Sequence, residues 1–237
     1  QQNLARVGRA RALLNLGRFA DARTAVAGVP TTFVYNVEYS ENTQRQNNAV
    51  FTFNNIRRRW GVADNEGRNG LPFVSARDPR VPTETTTRNG LDGEPVRIVN
   101  QLKYPARTTS IPLADGREAR LIEAEAALQA GDTATFASTL NTLRTAGSLA
   151  ALSTAGQTRR QLEDALFRER AFWMFATSHR LGDMRRLLRA PYNRPYGEVF
   201  PQGGYFKGGR QYGTQPSLPI PLEAENNSQF NGCTATN

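Results

Sequence analysis

Apolar residues recur three and four positions apart in three stretches of the chain, and polar, glycine-rich segments separate them. In residues 4–26 the positions Leu4, Val7, Ala10, Leu13, Leu14, Ala22, Ala25 and Val26 keep helical spacing. Gly17 interrupts that stripe and Arg18-Phe19 opens a second run, so residues 1–29 predict a helical hairpin ended by Pro30. A second pair begins at Asp115, a suitable cap for a helix carrying Ala119, Leu121, Ile122, Ala126 and Leu128. Gly131-Asp132 breaks it, and Phe136, Leu140 and Leu143 mark the return helix up to Gly147. Leu14-Asn15-Leu16-Gly17-Arg18 and Leu128-Gln129-Ala130-Gly131-Asp132 match in outline, which suggests tetratricopeptide-like pairs that cannot bury their apolar faces singly.

The third stretch carries the heaviest stripe. Thr158 and Gln161 stand at capping-box spacing ahead of Leu162, Ala165, Leu166, Phe172, Trp173 and Phe175. Leu181, Met184, Leu187 and Leu188 continue the pattern after an expected break near Gly182, and Pro191 stops it. Residues 31–113 have no sustained period. They are rich in Asn, Thr, Gly, Pro and aromatics, with Phe51-Thr52-Phe53 and Val96-Arg97-Ile98-Val99 as candidate strands. Residues 191–237 hold many Gly, Pro and Tyr and predict an extended tail across the surface. The expectation is a mainly α fold over 1–237: a hairpin at 1–29, a loop-rich insertion at 31–113, a helical core at 115–190 and the tail.

Composition narrows the chemistry. The 237 residues include one histidine, His179, and one cysteine, Cys233, which removes most zinc sites and any internal disulfide framework. The formal net charge is +9, and among the basic residues only Lys103 and Lys207 are lysines. No Gly-x-Ser-x-Gly or Ser-x-x-Lys is present, and residues 203–209, Gly-Gly-Tyr-Phe-Lys-Gly-Gly, lack the spacing of a phosphate loop. Glu123 and Glu125, two apart on one helix, point about 200° from each other and cannot form a catalytic pair. No cofactor, metal or catalytic residue is expected. A glycosidase would need two carboxylates at a defined separation, and no motif proposes them.

Four segments stand in a fixed order: ARDPR at 76–80; RLIEAEAALQAGD with LNTLRTAG at 120–147; RERAFWMFATSHRLGDMRR at 168–186; and LPIPLEAENN at 218–227. In that arrangement the chain resembles the C-terminal part of the SusD/RagB family of outer-membrane nutrient-binding lipoproteins. The resemblance implies a helical-repeat core with long insertions, and a lipid-anchored protein at the extracellular face of the outer membrane. It also implies an oligosaccharide or other large nutrient as ligand and a SusC-like TonB-dependent transporter as partner. The family's N-terminal half, with its lipoprotein signal and anchoring cysteine, is not in this sequence, and the chain reads as a piece of something longer.

Two groups of residues carry the expectations. Arg168, Glu169, Arg180, Asp183 and Arg186 interleave opposite charges and read as a structural ion network, not an anion site. Arg57-Arg58-Arg59-Trp60 lacks any accompanying nucleic-acid signature, so no nucleic-acid partner is expected. Sugar rings present C–H faces on which Trp and Tyr stack while polar groups bind hydroxyls. Tyr35, Tyr39, Trp60, Tyr104, Tyr192, Tyr196, Tyr205 and Tyr212 lie outside the helical stripes and form the set of stacking aromatics, and Tyr35, Tyr39, Trp60, Asn54, Asp64 and Arg77 are the candidate ligand contacts. A rival reading is a structural or assembly protein. On it, an uncovered helix face packs on the missing N-terminal half, on a different chain, or on a second copy in a homo-oligomer.

Overall fold

A computed structural model describes residues 1–216 together with 226, 227 and 229; the LPIPLEAENN segment, apart from Asn226 and Asn227, and Cys233 lie outside the described residues. The chain is mainly helical. α1 (Gln2–Asn15) and α2 (Phe19–Val26) form an antiparallel pair, and so do α4 (Gly116–Gln129) and α5 (Thr133–Ala146). Both turns pass through a glycine with positive φ, Gly17 and Gly131, where a left-handed backbone is least costly without a Cβ. Asp115 and Asp132 cap α4 and α5 by accepting the backbone N–H of Glu118 and Thr135 at 2.8 and 2.9 Å. α6 (Arg159–Trp173) opens on the full capping box of Thr158 and Gln161.

Between the two helix pairs the chain makes a closed excursion. β1 (Val34–Val37) runs antiparallel to β4 (Ile111–Asp115), so both ends of the insertion are tied at one place. Gly116 is required there. A Cβ on it would overlap the carbonyl oxygens of Pro30 and Thr31, while its N–H donates to Phe33 O at 2.8 Å. Within the insertion, β2 (Thr83–Asn89) pairs with β3 (Arg97–Gln101). Phe51-Thr52-Phe53 is not a strand. The Asn48 side chain accepts the N–H of Phe51 and caps a short α3 (Ala49–Phe51), which continues as a π-turn over Thr52–Ile56.

α4 is the central helix. Leu121, Ala124 and Leu128 face a core with Phe136, Leu140, Leu143, Leu162, Leu166 and Phe167 from α5 and α6. Ala119 and Ile122 face a second core with Val7, Ala10, Leu14, Ala22 and Val26 from α1 and α2, and Phe19 packs against both. The faces of α4 turned to these two cores leave no room for solvent at a polar group. Yet α4 carries Glu118 and Glu125, both with no exposed surface.

Arginine supplies the partners. Glu118 receives Nε and Nη2 of Arg11 at 2.7 and 2.8 Å, and lies 3.2 Å from Nε2 of His179. Burial pushes the Glu118 carboxyl up, but Arg11 and His179 outweigh it and hold it below its usual range. Glu125 accepts from both Nη atoms of Arg186 and from the Tyr192 hydroxyl at 2.6 Å. Arg186 also reaches Asp183 at 2.7 Å, and Asp183 receives Nε of Arg170 at 2.9 Å. This cluster joins α4, α6 and α7 (Arg180–Leu187). Glu169 takes Arg144 from α5 and, at 2.6 Å, Arg80 from the insertion; Asp78 holds Arg80 from behind at 2.7 Å.

Several expectations change here. α6 stops at Trp173 and α7 starts at Arg180, so the break falls at residues 174–179 and Gly182 lies inside α7. Ala176 and Ser178 have positive φ in that turn. Arg168 makes no ion pair among the described residues: it is exposed, its guanidinium lies 4.7 Å from the Phe172 ring centre, and its charge helps hold Asp78 low without contact. Arg180 makes no ion pair or side-chain hydrogen bond among the described residues, although the Asp183 charge acts on it. The tail is not wholly extended, since it contains α8 (Tyr196–Val199).

Lys103 closes the C-terminal end of α6, donating to Phe175 O at 2.8 Å and Trp173 O at 3.4 Å. Burial pushes its ammonium down from 10.5 to about 8. Between those two values the unfolded chain binds the extra proton, so this group adds stability as pH rises through the interval. The melting-temperature difference between wild type and Lys103→Met is expected to shift toward wild type from pH 8 to 10.5. A difference independent of pH would contradict the assignment.

Candidate functional site

The insertion and the tail together build an open cleft of about 940 Å3, within the size range of small-ligand sites. Its floor is the segment Gly61–Val62 laid beside Ile98–Val99 of β3, with Val62 N donating to Val99 O at 3.0 Å. Buried amides fix that floor. Asn54 Nδ2 donates to Trp60 O at 2.8 Å and to Val99 O at 3.1 Å, and its Oδ1 accepts Gln101 N at 2.7 Å. Asn55 and Gln101 exchange two further bonds, at 3.1 and 3.0 Å. Asn54 thus places Trp60 at the cleft and has no side-chain surface left for a ligand.

One wall is the loop around Asp64. Its carboxylate accepts the backbone N–H groups of Val74 and Ser75 at 2.9 and 3.0 Å, the Ser75 hydroxyl at 3.1 Å and Asn65 Nδ2 at 3.2 Å. Desolvation raises its pKa, but the bonds from Ser75, Val74 and Asn65 outweigh it and leave the carboxyl below its usual range. The opposite wall is the 91–97 loop, where Asp92 accepts Lys207 Nζ at 2.6 Å. That hydrogen bond also holds the Asp92 carboxyl low.

The remaining side of the cleft comes from the tail. Residues 203–212 turn back on themselves: Tyr205 N donates to Arg210 O at 2.7 Å and Tyr212 N to Gly203 O at 3.0 Å. Arg68 N donates to Gln202 O at 2.9 Å and the Tyr212 hydroxyl donates to Glu66 Oε1 at 2.8 Å, so the turn is fastened to the first wall. It presents Tyr205 and Phe206, whose ring centres are 4.5 Å apart, and Phe206 is 56% exposed. Trp60, Tyr205 and Phe206 give apolar faces, and Arg58, Arg59, Arg97 and Lys207 line the same cleft. Asp64 and Asp92 are both held low, so neither is poised to donate a proton at neutral pH. The arrangement is suited to holding a ligand by stacking and N–H donation.

Of the candidate contacts, only Trp60 and Asp64 meet in this cleft. Tyr39 lies at a separate cavity of about 440 Å3, with Arg11, Arg170 and His179 among its lining. Tyr35 projects from β1, an exposed strand, and Arg77 is exposed on a loop outside both cavities. Tyr104 and Tyr192 are buried, Tyr192 edge-on to Phe167 at 5.1 Å. Phe206, Lys207, Glu66 and Arg97 were not legible as site residues. For Phe206 and Lys207 the signal was an aromatic pair flanked by double glycines at 203–209, which a search for phosphate-loop spacing passes over; Glu66 and Arg97 gave none.

Among the described residues no group of three or more His, Cys, Asp or Glu could hold a metal, and no helix is long and apolar enough to cross a membrane. No family model matches the sequence, and no curated protein matches it. The fold does have a solved neighbour, a SusD-like carbohydrate binding protein from Bacteroides vulgatus. The two share the fold. The TM-score is 0.52 at 17% identity over 76% of this chain, and the match spans 44% of the length of that protein.

The Tyr212–Glu66 bond predicts a local effect. Tyr212→Phe should cost about 1 kcal/mol in the tail turn and speed amide exchange at residues 204–211, leaving exchange in α4 and α6 unchanged. Unaltered exchange at 204–211 would mean that the turn does not depend on that bond.

Proposed function

We propose that the chain is the recognition part of a non-catalytic glycan-binding protein, with the cleft between the insertion and the tail as its sugar site. The observation that carries this reading is the cleft itself: three aromatic side chains, Trp60, Tyr205 and Phe206, beside guanidinium donors at the edge of a fixed helical frame. Aromatic faces accept the C–H faces of sugar rings, and a few placed donors orient the hydroxyls. The shared fold with a SusD-like carbohydrate binding protein supports the same reading. On it, the helix pairs act as tetratricopeptide-like units. The protein works at the extracellular face of the outer membrane, passing an oligosaccharide to a SusC-like TonB-dependent transporter.

One observation favours a second reading, an assembly role. β1 and β4 expose Val34, Tyr35, Val37 and Leu113, apolar surface that further polypeptide would cover. Light scattering separates the two, since a monomer at high concentration argues against self-association.

Calorimetry with neutral oligosaccharides tests the sugar site. Trp60→Ala and Phe206→Ala should each weaken binding about tenfold, the scale expected when a central aromatic anchor is truncated. Tyr39→Ala, at the other cavity, should leave affinity unchanged. Equal affinity in all three variants would remove the proposed site.

A further inference from the structure

The hydrogen-bonding capacity of the cleft is unbalanced. Its acidic groups are already engaged: Asp64 accepts four bonds from its own loop, Asp92 holds Lys207 and the N–H of Glu94, and Glu66 holds Tyr212. Two of its basic groups are not. Arg97 and Arg59 are exposed and have no carboxylate or hydrogen-bond acceptor among the described residues; Arg59 lies only against the Phe53 ring at 5.9 Å. Arg58 gives a single bond, to the Asn89 carbonyl at 3.0 Å, which leaves its charge uncompensated. A ligand entering the cleft therefore meets N–H donors in excess and few free acceptors. Neutral sugars bring hydroxyls that both donate and accept, and binding them well calls for carboxylates or amide oxygens as well as arginines. An anionic group brings only acceptors, and the planar fork of arginine matches it.

We infer that the cleft takes acidic oligosaccharides, sugars bearing carboxylate or sulfate, with Arg59 and Arg97 reading the anionic groups while Trp60 and Phe206 stack on the rings. This rests on the sugar-binding reading above and narrows it. The +9 net charge of the chain adds a long-range attraction for such ligands.

Calorimetry on matched probes tests it: oligogalacturonate against its methyl ester, chondroitin sulfate against its desulfated form, maltohexaose as the neutral reference, and a single-stranded deoxythymidine dodecamer. The charged member of at least one pair should bind about tenfold more tightly than its neutral counterpart, an advantage that shrinks as salt shortens the screening length. Arg97→Gln and Arg59→Gln, both exposed positions, should each reduce the acidic affinity about fivefold and lower maltohexaose affinity by a smaller factor. Neutral binding that depends on Trp60, with no preference for charge, would overturn this inference and leave the sugar site standing. No binding of any sugar would overturn both. Tighter binding of the dodecamer than of every sugar would overturn both in favour of a phosphate-backbone ligand.

Discussion

A fully buried carboxylate on the central helix sets the terms for this structure. Glu125 has no exposed surface, so the fold must surround it with donors or bear several kcal/mol of uncompensated charge. It does so with Arg186 and Tyr192, and Arg186 in turn needs Asp183, which needs Arg170. Each member satisfies another, and together they fix α4, α6 and α7 in one arrangement. Replacing such a cluster with apolar groups can be neutral or stabilising, whereas removing one member strands the rest. Its members therefore depend on one another for their position. The preference for arginine fits this role, because a guanidinium stays charged when buried and can serve two carboxylates at once. Burial works against the Asp183 carboxyl, but Arg170 and Arg186 outweigh it and hold it low.

The same device fastens the irregular parts to the frame. Arg80 crosses from the insertion to Glu169 on α6, beside Arg144 from α5, and packs over the Phe172 and Trp173 rings at 5.2 and 5.1 Å. With the β1–β4 ladder closing its base, the long excursion from 38 to 110 is anchored at separate points. The tail is held by Tyr212 on Glu66 and Lys207 on Asp92. The cleft thus lies between two irregular segments, each pinned by a few polar contacts, next to helices that do not contribute to its lining.

How far the sequence revealed this follows from how local each cause is. Helix ends were legible at Asp115, Asp132 and Thr158 because a cap is decided within three residues. The motif block at 168–186 showed interleaved charge, but spacing along the chain could not tell which arginine meets which acid. Arg170 goes to Asp183 and Glu169 to Arg80, 89 residues away, while Arg168 turns out to solvent. Phe51-Thr52-Phe53 looked like a strand until Asn48 closed a helical turn over it. The cleft was legible at Trp60 and Asp64, and at Tyr205 only as one of several tyrosines in the polar segments. Its other aromatics arrive from a tail turn about 145 residues later in the chain, and long-range pairing of that kind leaves no local period to read.

A double-mutant cycle between Glu125 and Arg186 tests the claim that this network is one interdependent unit. Urea unfolding of Glu125→Gln, Arg186→Met and the double variant gives the coupling, while calorimetry on an oligosaccharide bound by wild type reports the cleft. The account predicts a coupling of about 2 kcal/mol or more, with glycan affinity the same in every variant that remains folded. Costs that add to within about 0.5 kcal/mol would contradict it, and so would an affinity that falls in step with stability.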